Sequence, residues 1–242
     1  MLAAAPGIAA AAQHSLAVRV SQGLKSYSHT VKAATGSQTN FVDRVNGQDM
    51  IVNVIFGEAS GSFLAQYQLE VSRPDRSHTF QAQSAVRLRP GDRLTAVECG
   101  DWKVDLALDV AMGGATPPWK PAGANHRLTA FAGNKRCRVL QEAGSQSNIV
   151  EGSTSNGRRT GFILNGVISQ PEGNSCKVQY QIENSPLQVQ GEDILVLGKK
   201  TPAGGGKAAL LVEGPAEAKR VPAATAAPAG FTAPSGGVPL LR

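Results

Sequence analysis

The feature that most constrains this chain is a two-residue beat of apolar and polar side chains. In SFLAQYQLEV (62–71), Phe63, Ala65, Tyr67 and Leu69 fall on one side of an extended strand. Leu64, Gln66, Gln68 and Glu70 fall on the other. WKVDLALDVA (102–111) sets Trp102, Val104, Leu106, Leu108 and Val110 against Lys103, Asp105, Ala107 and Asp109. NSCKVQYQIENSPLQVQGEDIL (174–195) repeats the pattern, with Val178, Tyr180 and Ile182 between polar neighbours. No stretch long enough for an amphipathic helix carries the helical period. A chain patterned this way hides one face of each strand against another sheet. The fold class expected is therefore all-β: one or two β-sandwich-like units of antiparallel strands with a flexible Ala/Pro/Gly-rich C-terminal tail.

Turn chemistry sets the expected domain organisation. Residues 1–40 read as an N-terminal arm or a truncated signal segment, because MLAAAPGIAAAAQ ends in an Ala-x-Ala pattern but lacks a basic start; within it, SLAVRVS is a candidate first strand. Residues 41–111 form a β-rich block, in which 50–71 reads as a hairpin and Pro90-Gly91-Asp92 as a second tight hairpin connection. Residues 112–126, with MGGATPPWKPAGAN, read as a Pro/Gly loop or linker. Residues 127–200 form a second β-rich block, and 201–242 a flexible tail too poor in bulky residues to offset its ordering entropy. AALLVEG (208–214) stands out within that tail as a possible added strand. The two blocks share a plan of alternating strands around a cysteine, too loose to establish a repeat.

Composition narrows the chemistry. Charged residues make up only 17% of the 242 and aromatics 5%, so polarity rests on Gln, Asn, Ser and Thr. The net charge of +6 is scattered over short pairs, not clustered along one face, and Tyr67 and Tyr180 fall on the apolar sides of their strands. A nucleic-acid surface, which needs rings and cations together, is not expected. The histidines His14, His29, His78 and His126 have no metal-ligand spacing, no Gly-x-Ser-x-Gly elbow occurs, and GKKT (198–201) lacks the leading glycine of a phosphate loop. Asp101, Asp105 and Asp109 share one strand face, but Lys103 lies among them. No catalytic residue, cofactor or metal site is expected, and no apolar run is long enough to span a membrane.

What remains points to contact. The amide-rich side of 174–195, carried by Gln179 and Gln181, is uncharged and able to hydrogen-bond, which suits burial against a partner. Trp119 in the Pro/Gly loop and Leu240 and Leu241 at the C-terminus are further candidate partner contacts. Cys137 and Cys176 each open an alternating stretch and form a candidate disulfide. The functional expectation is a non-enzymatic structural or binding protein of a cell-envelope, surface or secretion assembly, acting through protein–protein contacts in a homo- or hetero-oligomer. Its expected location is extracytoplasmic, periplasmic or at the cell surface. A virion or phage-particle structural subunit is the alternative reading, and a β-fold enzyme or carbohydrate-binding module a further one.

Overall fold

The computed structural model describes residues 13–45, 47–59, 62–75, 77–109, 125–155 and 158–215. The described residues form an all-β molecule of two antiparallel sheets with eight strands each. The first half of the chain supplies β1 (Gln13–Gln22), β2 (Lys25–Ala34), β3 (Gln38–Val45), β4 (Gln48–Ala59), β5 (Ser62–Ser72), β6 (His78–Leu88), β7 (Arg93–Cys99) and β8 (Trp102–Asp109). The second supplies β9 (Asn125–Ala132), β10 (Lys135–Glu142), β11 (Gln146–Ser155), β12 (Arg158–Ile168), β13 (Ser175–Asn184), β14 (Leu187–Val196), β15 (Thr201–Ala203) and β16 (Ala208–Glu213).

The strand orders reveal a duplication. Sheet A runs β15-β16-β9-β10-β7-β8-β1-β2 and sheet B runs β14-β13-β12-β11-β6-β5-β4-β3. Strands β1 to β8 thus make one four-on-four sandwich, wound as a continuous up-and-down ribbon that returns β8 to the side of β1. Strands β9 to β16 repeat the path strand for strand, with β16 returning to β9. The two units join edge to edge, β7 to β10 in sheet A and β6 to β11 in sheet B.

Equivalent corners confirm the equivalence of the units. Where the chain leaves sheet A for sheet B, Gly36 donates its N–H to the Phe56 carbonyl at 2.7 Å, and Gly144 donates to Ile168 at 2.7 Å. Where it returns, Gly91 donates to Leu108 at 2.7 Å and Gly198 to Val212 at 2.7 Å. All four glycines have positive φ, the region a side chain disfavours. Pro90-Gly91-Asp92 is therefore not a hairpin turn. It is a corner that carries the chain from β6 in one sheet to β7 in the other, closed by the Asp92 carboxylate accepting the Arg89 N–H at 2.9 Å. The local turn chemistry is the same in both cases, and only sheet membership separates them.

The core is where the two-residue beat places it. Leu16, Val18, Val20, Leu106 and Leu108 from sheet A and Val52, Val54, Leu69, Leu164 and Ile182 from sheet B are all buried in one continuous core. Trp102 on β8 stacks on Phe80 of β6 across the sandwich, ring centroids 4.8 Å apart. The sequence-based arm and tail both shrink. Gln13–Gln22 and Lys25–Ala34 are full strands of sheet A, and Thr201–Ala203 with Ala208–Glu213 complete its far end. Low overall hydrophobicity misleads here, because the small residues Ala203 and Ala208 are buried at that end together with Leu210 and Val212. Trp119 and residues 216–242, with Leu240 and Leu241, lie outside the described residues.

Candidate interaction face

The outer face of sheet B answers what the polar side of these strands forms. Reading directly opposed residues across it gives Gln190, Gln181, Asn165 and Asn148 from the second unit, then Gln83, Gln68, Asn53 and Asn40 from the first. Every strand of the sheet contributes one primary amide, in unbroken register. The order Gln-Gln-Asn-Asn occurs twice. One step along the strands, the opposed residues are Gln188, Glu183, Ile163 and Val150, then Gln81, Glu70, Ile51 and Val42. That order, Gln-Glu-Ile-Val, also occurs twice. On the other side of the amide row stand Glu192, Gln179, Val167 and Gln146 in one unit and Ala85, Gln66, Ile55 and Gln38 in the other.

The face is thus a lattice. Neighbouring strands lie about 4.8 Å apart, and same-face residues along a strand about 6.8 Å. At the cross-strand spacing one amide can donate to the next. Asn53 Nδ2 donates to Gln68 Oε1 at 3.4 Å, and the equivalent Asn165 Nδ2 donates to Gln181 Oε1 at 3.0 Å. Carboxylates beside the row hold flanking amides: Gln81 Nε2 donates to Glu70 at 3.2 Å and, equivalently, Gln188 Nε2 to Glu183 at 3.0 Å. Gln181 Nε2 also donates to Glu183, at 2.7 Å, and Gln179 Nε2 to Glu192, at 2.7 Å. At the centre, Asn148 Oδ1 and Asn165 Oδ1 are shielded from solvent and accept no hydrogen bond within the structure.

The opposite face differs in chemistry. On the outside of sheet A, Arg138 pairs with Glu98 at 2.9 Å, Lys103 with Asp105 at 3.0 Å and Arg127 with Glu213 at 3.5 Å. The Asp105 carboxylate also accepts Thr95 Oγ1 at 2.6 Å, so Asp105 is engaged by its own neighbours. Among the described residues no group of His, Cys, Asp or Glu is placed to hold a metal ion. His126 is buried on β9 and His29 stacks on Phe41. Among the described residues no helix is long and apolar enough to cross a membrane.

The cysteines correct one expectation. Cys137 bonds Cys99, not Cys176. Cys99 and Cys137 are directly opposed on β7 and β10, so the bond links the two units at their junction. Cys176 sits in sheet B, buried, with its thiol pushed up by burial, as suits a packing residue more than a nucleophile. Spacing along the chain carries no information on which sheet each cysteine enters. Gln179 and Gln181 do lie on the polar face as expected, with Gln181 in the central row. Sequence reading also placed Gln68 on a polar strand side but did not join it or the other six members into a row, because register across strands is a tertiary property. Comparison with protein-family models, with curated proteins and with solved structures finds no match.

Proposed function

We propose that this chain is a non-enzymatic structural protein that works through protein–protein contacts made by the outer face of sheet B. The observation that carries this reading is the duplicated amide lattice, one amide from each of the eight strands in the order Gln-Gln-Asn-Asn twice. Amides lose less on leaving water than Lys or Glu, and a regular row of donors and acceptors matches a partner's polar groups at many points at once. The Cys99–Cys137 bond supports an extracytoplasmic, oxidising location, where such bonds persist.

Lysines placed at the equivalent positions Gln68 and Gln181 test it. The Q68K/Q181K double variant keeps its circular-dichroism spectrum and melting point, because both side chains face outward. It is recovered from producing cells at a lower mass than the wild-type complex, without the partners that the face holds. A double variant that retains the full complex mass overturns the reading.

A further inference from the structure

We infer that copies of this chain join end to end through their free sheet-B edges, β14 of one copy pairing antiparallel with β3 of the next. This rests on the assembly reading above and adds a second copy of the chain as the partner at the sheet edges.

The template is the junction inside the chain. There β6 pairs with β11, setting Gln83 against Asn148, Ala82 against Ile149, Gln81 against Val150 and Phe80 against Glu151. The unit equivalents of those strands are β14 and β3, and both are outermost in sheet B, without a strand neighbour on that side among the described residues. The same register between two copies sets Gln190 against Asn40, Val189 against Phe41, Gln188 against Val42 and Leu187 against Asp43. Residue chemistry matches at all four places: amide on amide, apolar on apolar, Gln on Val, and apolar on carboxylate. The Gln-Gln-Asn-Asn row then runs from copy to copy without a break. An exposed edge of this length pairs with another chain unless it is blunted, and the usual devices are charge, proline or shortening. Here Arg44 on β3 and Glu192 and Asp193 on β14 are engaged within their own copy by Asp49, Lys177 and Tyr180, and beside these charges and Asp43 stand exposed apolar residues: Val42 is 70% exposed on β3, and Ile194 is 76% exposed on β14.

Sheet A contributes less. β7 reaches β10 through Val97, Glu98 and Cys99, whereas β15 ends at Ala203. The contact between copies is consequently carried by sheet B, without a disulfide, and is reversible.

The test uses the full chain. Sedimentation of the wild type across a concentration series shows mass rising through dimer, trimer and higher forms. The N40C/Q190C double variant, treated with a short bifunctional thiol reagent, gives a ladder on a reducing gel, while N40C and Q190C alone stay at the single-chain position. Circular dichroism of each single variant establishes that it folds. A wild type that remains monomeric at every concentration overturns the inference, and so does a folded double variant without a ladder. Dimers from either single variant at the same yield also overturn it, since they mean that like edges pair. If the ladder is missing while Q68K/Q181K still releases the chain from its complex, only the edge contact falls and the face reading stands.

Discussion

Tyr67 and Tyr180 occupy the same place in the two units and face different surroundings. The Tyr67 hydroxyl is buried without a hydrogen-bond partner. The Tyr180 hydroxyl donates to Asp193 at 2.8 Å. The first unit has Val86 opposite Tyr67's neighbourhood where the second has Asp193, so one phenol found an acceptor and the other did not. An unpaired buried hydroxyl costs its hydration, on the order of 1–3 kcal/mol, and a satisfied one contributes about 1 kcal/mol. Tyr67→Phe is therefore expected to leave urea stability unchanged or raise it, and Tyr180→Phe to lower it by about 1 kcal/mol. Burial also pushes the Tyr67 phenol above its ordinary value. The sign follows: the folded state holds this proton more tightly than the unfolded chain. The resulting stability is complete below about pH 10, the ordinary phenol value, and is lost as pH rises beyond it. Denaturant midpoints of wild type and Tyr67→Phe measured from neutral to alkaline pH should diverge only above that point, with the variant falling less.

At the scale of elements, the junction strands carry the most cross-links. Ser84 Oγ on β6 donates to the Leu140 carbonyl of β10 at 3.0 Å, and Arg87 pairs with Glu142. Asn125 bonds both backbone groups of Arg87 at 2.8 Å, standing in for a strand neighbour where β6 turns away. The Cys99–Cys137 bond closes a sequence separation of 38 residues, for which loop-closure entropy gives about 3–4 kcal/mol. The Cys99→Ala/Cys137→Ala double variant should lose roughly that much in urea. Its amide exchange should rise first at Val97 and Val139 beside the bond, and least at the far strands β3 and β14. Uniform acceleration over all strands would mean that the bond does not act at the junction.

For the whole molecule, the two sandwiches share both sheets, so neither unit has a complete sheet of its own at the join. That continuity predicts a single unfolding transition. Tryptophan fluorescence of a Trp119→Phe variant, reporting Trp102 against Phe80 in the first unit, and far-ultraviolet circular dichroism, reporting both units, should give one midpoint in urea. Two separated midpoints would show the units to be independent. The duplication was present in the sequence in pieces: GSQTNFVD (36–43) faces GSQSNIVE (144–151), and QYQLE (66–70) faces QYQIE (179–183). Turns of unequal length mask it, because they shift the spacing between equivalent residues, so that Gly36 matches Gly144 while Gln66 matches Gln179.

Side-chain alternation was enough to establish strands, their buried sides and the all-β class, because period two is imposed by the backbone of each strand alone. It was enough, too, to place Gln179 and Gln181 on a polar face. Register, sheet membership and the pairing of Cys137 with Cys99 required the folded molecule, since each depends on which strands become neighbours. A row of eight amides exists only across strands. No local rule links residues so far apart in the chain, and long-range packing of the two faces against one core brings them into line.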